Sequence, residues 1–213
     1  MKITKLGHCC LVLELSGATV LTDPGSFSEA QNELTGIDAV LITHEHGDHL
    51  HVESLKKVLA NNPTALVIGN QAVAKLVQEQ IADTVVTVVG DGQSSDVKGV
   101  RVEGFGKVHA EIYGDMGQVE NTGYLVDDKF YFPGDAFHAP VKPIDVLALP
   151  VAGPWMRMKD AIDFTKAVKP RTAFGVHDAM IQPFFRGFIG NALKMFAPDT
   201  AYVSLADGES REF

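Results

Sequence analysis

Four side chains of the kinds that bind metal ions fall within six residues of this 213-residue chain. They are His44, His46, Asp48 and His49. Imidazole nitrogen suits Zn, Fe and related divalent ions, and a carboxylate adds a harder, anionic ligand. If these groups were buried without a metal, polar side chains at this density would be costly to satisfy. The sequence therefore predicts a metal site on this stretch.

The flanking residues predict the local structure that would position these ligands. The apolar run at residues 39–42 is typical of a buried strand, and Leu55, Val58 and Leu59 recur at the spacing of one helix face. The ligands then lie on a strand-to-helix loop, where working residues are common. A bent loop would let the first two histidines converge on one ion and would turn the aspartate and the last histidine toward a second. Candidates for the remaining ligands are His109, Asp135 and His177.

The pattern Thr43-His44-x-His46-x-Asp48-His49 resembles the HxHxDH signature of the metallo-β-lactamase-fold hydrolases. Other elements of that family follow in the same order, so that the resemblance runs from Gly7-His8 to Gly208. They are Asp23 after an early strand, His109 alone, Asp135 within Pro133-Gly134-Asp135, and His177 late in the chain. Four further stretches resemble the ascorbate-6-phosphate lactonase-like branch of the superfamily. They are Gly7-His8, Asn121-x-Gly123-Tyr124, Gly134-Asp135-Ala136-Phe137 and residues 150–155.

The resemblance implies a fold class, a four-layer αβ/βα sandwich in which two mixed β-sheets are flanked by helices. It also implies a dinuclear site for two divalent metal ions, with Zn expected and Mn or Fe as alternatives. The ligands of one ion would be His44, His46 and His109, and those of the other Asp48, His49 and His177, with Asp135 bridging the two ions.

The same resemblance implies a hydrolytic mechanism. A hydroxide shared by the two ions would be the nucleophile, because metal binding lowers the pKa of water from about 15.7 to about 7. Asp48 would steer this hydroxide and carry its proton. His8 would contact the substrate, and a structural role is the alternative for this residue. Asp23 would brace the histidine loop by hydrogen bonds. A direct ligand role for Asp23 is the alternative.

The expected activity is hydrolysis of a small molecule, a lactone or a phosphate ester, with an anionic group such as a sugar phosphate. One alternative is a mononuclear non-haem iron oxidoreductase on the same fold, similar to a sulfur dioxygenase, which would use fewer protein ligands. Another is a non-catalytic metal-binding protein, in which a decayed ligand set is expected. The complete motif at residues 44–49 argues against both alternatives.

Several other residues have two interpretations that the sequence leaves open. His138 is either a contact of the substrate or of the metal ligands, or else a surface residue. Trp155 is either a wall of the site or part of the core. Arg186 either holds an anionic group or lies on the surface. A phenylalanine stripe is expected to pack in the core rather than to form a substrate box. It consists of Phe184, Phe185, Phe188 and Phe196.

Length and composition limit the class of protein. The length suits a single domain over residues 1–213, with a core of its own. The net charge of −9 argues against non-specific nucleic-acid binding, which needs a basic face. No apolar run approaches the ~20 residues of a membrane span. The only cysteines, Cys9 and Cys10, are adjacent and suit reduced thiols, so we expect a cytoplasmic protein. Assembly into a homo-oligomer is left open.

Strands that alternate with helices, with several hairpin-like joins, predict a mixed α/β sandwich. Asn70 is expected to cap a helix. Residues 100–105, 107–112 and 172–176 are expected to form strands.

Overall fold

The computed structural model describes residues 1–213. Its α-helices are α1 (Val52–Asn61), α2 (Gln71–Gln80), α3 (Met158–Val168) and α4 (Pro183–Phe196), and a short 3-10 helix lies at Ala30–Glu33. The strands of the first half are β1 (Lys2–Gly7), β2 (Cys10–Glu14), β3 (Thr19–Thr22), β4 (Ala39–Ile42), β5 (Leu66–Gly69) and β6 (Val86–Val88). The strands of the second half are β7 (Ser94–Val97), β8 (Val100–Phe105), β9 (Gly123–Val126), β10 (Phe130–Phe132), β11 (Val146–Pro150), β12 (Thr172–Val176), β13 (Ala201–Val203) and β14 (Ser210–Glu212).

The strands form two seven-stranded sheets, one in the order β14-β1-β2-β3-β4-β5-β6 and the other in the order β13-β12-β11-β10-β9-β8-β7. Each sheet is mixed. In the first sheet β3 to β6 are parallel, and the remaining pairs are antiparallel. In the second sheet β10 to β13 are parallel, while β7 to β10 pair antiparallel. The parallel strands of both sheets therefore end at one common edge.

Three apolar clusters hold the layers together. The largest has 22 buried residues and fills the space between the two sheets. A cluster of 14 lies between α1, α2 and the first sheet, and a cluster of 12 lies between α3, α4 and the second sheet. The order of layers is helix, sheet, sheet, helix, which confirms the predicted four-layer αβ/βα sandwich with two mixed sheets. These layers explain the burial along the strands. Buried residues alternate along the antiparallel strand β1, whereas every residue is buried along the parallel strands β4 and β12, which are covered on both faces.

Helix α2 begins at a local signal that lies close to the site. The side chain of Asn70 accepts a hydrogen bond from the backbone of Val73 at 3.0 Å, so the predicted cap of α2 is confirmed. The side-chain N–H₂ group of Asn70 donates to the carbonyl of Thr43, the first residue of the loop at 43–49 that carries the histidines, which we call the histidine loop.

None of the helices combines the length and the apolar character needed to cross a bilayer.

Two predictions about local structure are wrong. Residues 107–112 form a loop and not a strand, because only Val108 pairs, in an isolated antiparallel bridge with Glu120, and the N–H group of Ala110 donates to Asp135. The phenylalanine stripe is not a core stripe. The buried face of α4 carries Ile189 and Leu193, and the exposed side chains are Phe184, Phe188 and Phe196.

Candidate metal centre

The predicted ligands meet at the edge where the parallel strands end. The histidine loop follows β4, Asp135 follows β10 and His177 follows β12. Ligands in α/β proteins commonly bind outside the carboxyl ends of parallel strands. The structure brings all seven predicted ligand residues to this edge, and their burial ranges from complete to partial.

Asp23 holds the histidine loop in place by hydrogen bonds. Its carboxylate accepts hydrogen bonds from the backbone N–H and the hydroxyl of Thr43, at 2.8 and 2.7 Å. It also accepts a hydrogen bond from His49 Nδ1 at 2.6 Å. This leaves Nε2 of His49 as the atom that faces the site. Gly25 lets the chain approach closely, since a Cβ there would lie 1.7 Å from the carbonyl oxygen of Asp48.

The first ligand group consists of His44, His46 and His109, whose ligand atoms lie within 4.8 Å of one another. His44 Nε2 and His46 Nδ1 are 3.1 Å apart. Nδ1 of His109 donates to the carbonyl of Ala110 at 2.6 Å, which turns Nε2 toward the other two histidines. Three nitrogen atoms are thereby directed at one point.

The second ligand group contains Asp48, His49 and His177, with His8 beside them. Asp48 Oδ2 lies 3.7 Å from His49 Nε2 and 3.6 Å from His177 Nε2. His8 Nε2 is 3.3 Å from the same oxygen. The other ring nitrogen of His8 accepts from the backbone N–H of Ala179, so a neutral His8 carries its proton on Nε2 and donates to Asp48.

Asp135 lies between the two groups. Its Oδ1 is 3.1 Å from His49 Nε2, and its Oδ2 is 3.4 Å from His109 Nε2 and 2.9 Å from His177 Nε2. The indole N–H of Trp155 donates to Oδ2 at 2.8 Å and fixes the orientation of the carboxylate.

The backbone around Asp135 is also held in place. Its N–H donates to the Asn121 side chain at 2.9 Å, and Asn121 donates back to the carbonyl of Pro133. Gly134 has φ +65°, and a Cβ there would lie 2.4 Å from the Asn121 side-chain oxygen. The turn therefore requires glycine immediately before the carboxylate.

The donor set fits divalent cations. Four buried atoms in the site have no hydrogen-bond partner, namely His49 Nε2, Asp135 Oδ1 and both ring nitrogens of His177. Buried polar atoms are rarely left unpaired in folded proteins.

Two ligands of one tetrahedral zinc ion, each about 2.0–2.2 Å from it, lie roughly 3.3 Å apart. His44 Nε2 lies 3.1 Å from His46 Nδ1. Asp48 Oδ2 lies 3.7 and 3.6 Å from Nε2 of His49 and of His177. These separations are close to the value for one ion.

The pKa shifts of the histidines in the site also favour the binding of cations. Burial lowers the pKa of His44 well below its usual range and also lowers that of His46, so both imidazoles are neutral and free to bind a cation. Burial opposes protonation of His177, but the carboxylates of Asp135 and Asp48 outweigh it and raise the pKa to about 9. The same balance, with Asp135 and Asp23, raises the pKa of His49. The carboxylates thus attract positive charge at the position of the second ligand group.

Three residues of the site adopt left-handed backbone conformations, His8 with φ 52°, Asp23 with φ 32° and His177 with φ 57°. This region costs free energy for residues other than glycine and occurs preferentially at functional sites. The strained backbone thus occurs at one predicted ligand, His177, and at two residues that hydrogen-bond to other predicted ligands, His8 and Asp23.

The structure also locates the residues whose roles the sequence left open. Trp155 meets both expectations, since it is buried against Phe137 and also lines the cavity in front of the metal centre. His138 is exposed and lies outside that cavity. Arg186 is partly buried, 3.0 Å from Asp178 Oδ2. His8 lies behind Asp48, 1% exposed, and does not line the cavity.

Sequence reasoning missed Lys5 and Asp178, which flank the second ligand group. Lys5 is completely buried and donates to Asp178 Oδ2 at 2.6 Å and to the carbonyl of Gly175 at 3.1 Å. A signal was available, because Lys5 follows Ile3 by two residues and therefore shares its inward face of β1.

The fold and this histidine- and aspartate-rich centre define the class of metallo-β-lactamase-fold hydrolases, and the resemblance seen in the sequence is confirmed. The chain belongs to the family described as the Beta-lactamase superfamily domain, whose model matches residues 2–177.

Protein Rv0786c of Mycobacterium tuberculosis is 36% identical over 206 residues, which cover 93% of this chain and 94% of that protein. A UPF0173 metal-dependent hydrolase of Carboxydothermus hydrogenoformans is 29% identical over 194 residues, covering 83% of this chain and 84% of the relative. The metallo hydrolase Igni18 of Ignicoccus hospitalis shares the fold with a TM-score of 0.78 at 20% identity, covering 100% of this chain and 98% of that one. The chain is thus a metal-dependent hydrolase of the metallo-β-lactamase superfamily.

Proposed function

We propose that the protein binds two divalent metal ions, with Zn as the expected metal. We propose that it hydrolyses a small molecule of the lactone or phosphate-ester type. The observation that carries this proposal is the convergence of imidazole and carboxylate atoms in two adjoining groups, with four buried atoms of the ligand residues that have no hydrogen-bond partner. A nitrogen-rich set with two carboxylates suits Zn, and Mn or Fe are alternatives.

In this proposal His44, His46 and His109 hold one ion, and Asp48, His49 and His177 hold the other. Asp135 contributes to both. When bound, the ions would lower the pKa of water and polarise the scissile bond. The remaining steps belong to residues of the chain.

Asp48 is the proton acceptor in this mechanism. It lies on the cavity wall, and although burial opposes ionisation, the adjacent His177 and His8 lower the pKa of its carboxyl, so it is anionic at neutral pH. The hydrogen bond from His8 Nε2 keeps that carboxylate oriented. We therefore assign His8 a positioning role behind Asp48 rather than contact with the substrate. Trp155 does the same for Asp135 through its indole N–H.

We also propose a reducing, cytoplasmic location. Two free, buried cysteines, Cys9 and Cys10, support it, because such thiols persist where disulfides do not form.

The test is a panel of lactones and phosphodiesters with metal-loaded and chelator-treated protein. His46→Ala is expected to lower metal occupancy and hydrolysis together. The matched control is His51→Ala, which changes an exposed histidine outside the ligand groups and should leave both unchanged. Full hydrolysis by His46→Ala would contradict the assignment.

A further inference from the structure

The cavity in front of the metal centre is lined in part by apolar side chains. Its volume is about 340 Å³, within the range of small-molecule sites. The apolar lining residues, which we call the apolar wall, are Phe27, Ile112, Pro154, Trp155 and Met180. Phe27 and Met180 are large apolar side chains, yet 52% and 51% of their surface is exposed. Apolar surface that is left uncovered beside a polar centre is typical of a ligand-binding wall.

Three of these side chains lie close to residues of the two ligand groups. The ring of Phe27 packs edge-on against His8, with centroids 5.0 Å apart. Ile112 lies on a loop that returns to the histidine loop, since a Cβ at Gly117 would lie 2.7 Å from Ile112 Cδ1 and 3.7 Å from His46 Cε1. Met180 follows His177 by three residues. The apolar wall therefore lies directly beside the two ligand groups.

The cavity has no lysine or arginine among its lining residues, and its only carboxylates, Asp48 and Asp135, belong to the ligand groups, as do its histidines. The arginines of the neighbouring segments are already engaged. Arg157 contacts Asp160 through two nitrogen atoms, and Arg186 contacts Asp178. A phosphate carried at a distance from the scissile bond would therefore find no charged partner, and desolvating it there would be unfavourable.

We infer that the substrate is an uncharged lactone or ester whose alkyl chain lies against Phe27, Ile112 and Met180. This inference rests on the function proposed above and differs from the anionic substrate that the sequence suggested. Water adds to the carbonyl carbon, the bond from that carbon to the alkoxy oxygen breaks, and the alkoxy oxygen takes the proton. Water is the only co-reactant. An ester gives a carboxylic acid and an alcohol, and a lactone gives a single hydroxy acid.

The test uses binding, so it does not depend on turnover. Trp155 is the only tryptophan of the chain, and it lines the cavity, so its fluorescence reports occupancy. Metal-loaded protein is titrated with straight-chain alkyl hydroxamates from acetohydroxamate to decanohydroxamate, whose head group chelates metal ions. Burial of one methylene group strengthens binding by about fourfold when it is complete, so we expect a two- to fourfold gain per methylene along the wall.

A charged chain end supplies the second comparison. The hydroxamate of 6-phosphonohexanoic acid is expected to bind at least tenfold more weakly than hexanohydroxamate. An affinity that does not change with chain length, or tighter binding of the phosphonate, would overturn the inference.

Substitution of Met180 tests the wall itself. Met180→Ala should reduce the gain per methylene, and Met180→Lys should reverse the preference toward the phosphonate. The matched control is Met195→Ala, because Met195 is 71% exposed on α4 and does not line the cavity. This variant should keep the gain of the unsubstituted protein. Unchanged chain-length and phosphonate preferences in both Met180 variants would also overturn the inference.

The two proposals fail in different ways. A clear gain with chain length and no metal-dependent hydrolysis of any lactone, ester or phosphodiester would contradict the proposed function and leave the apolar wall in place. Metal-dependent hydrolysis without any increase in affinity with chain length would contradict the role of the apolar wall and leave the proposed function in place.

Discussion

Lys5 Nζ lies 2.6 Å from Asp178 Oδ2, and both side chains are buried where the first sheet faces the second. The same ammonium group donates to the carbonyl of Gly175. Because His177 lies between Gly175 and Asp178, this one group is bonded to the chain on both sides of a proposed metal ligand. The left-handed backbone of His177 is thus held by a residue from the opposite sheet.

Lys5→Met is expected to destabilise the protein and to weaken the second metal position. Removing one partner of a buried ion pair costs about 3–5 kcal/mol, and here it leaves the carboxylate of Asp178 with only Arg186 beside it. Loss of a group that orients a ligand typically lowers metal affinity by about 10–100-fold. Thermal unfolding and a metal titration measure the two effects.

The control for this variant is Lys2→Met. Lys2 lies on the same strand, and its side chain is 40% exposed and paired with Glu14 at the surface. An exposed pair of this kind is screened by solvent and contributes little to stability, so the affinity for both ions should not change. If Lys5→Met bound two ions as tightly as Lys2→Met does, the positioning role of Lys5 would be wrong.

Asp23→Asn is expected to lower the affinity for metal at His49. Aspartate accepts from three donors here, the N–H and hydroxyl of Thr43 and the N–H of His49. An amide in the same place must aim its own N–H₂ group at one of these donors. An unsatisfied buried donor costs about 1–3 kcal/mol, and the ring of His49 is free to turn. Isothermal titration with Zn measures the loss, which we expect to be about 10–100-fold.

Asp38→Asn makes the same chemical change outside the site. Asp38 accepts from the backbone of Thr19 and pairs with Lys98. Its substitution should leave the zinc titration unchanged. Equal titrations for the two variants would show that the bracing by Asp23 has no effect on the metal centre.

The metal-free protein should lose stability as the pH rises from 6.5 to about 9. The pKa of His177 is raised to about 9, so the folded protein holds a proton there that the unfolded chain, with a pKa near 6.5, releases earlier. This stabilisation is complete below pH 6.5 and is lost as the pH approaches 9. Its size is on the order of 3 kcal/mol, and the raised pKa of His49 acts in the same direction.

A metal ion competes with that proton, so the increase in Tm on adding metal should grow across the same pH window. Thermal unfolding of metal-free and metal-loaded protein at several pH values measures both trends. A Tm of the metal-free protein that stays level between pH 6.5 and 9 would refute the ion pairs of His177 with Asp48 and Asp135.

The sequence predicted the centre better than its surroundings, and the reason is physical. The histidine loop is local, so ligand spacing within six residues identified it, and the apolar run before it located β4. His109, Asp135 and His177 came from the family pattern, because a lone histidine or a turn aspartate carries no local signal.

Elements that depend on distant partners escaped prediction. β14 is a strand only because Arg211 pairs with Ile3 across the chain, and its three residues are exposed and polar. Residues 107–112 alternate like a strand, but only Val108 pairs, in an isolated bridge with Glu120. In α4 apolar residues recur every four positions along two different faces, one with Phe185, Ile189 and Leu193 and the other with Phe184 and Phe188. The sequence does not distinguish them, and tertiary packing buries the first face and leaves the second exposed.

The central claim is a centre for two metal ions that share Asp135. Its most direct test is the metal content per chain of freshly purified protein, measured by elemental mass spectrometry without chelator. The account predicts close to two equivalents of Zn or Mn per chain, falling in His46→Ala. A single equivalent of iron with little else, or no bound metal after reconstitution, would contradict it.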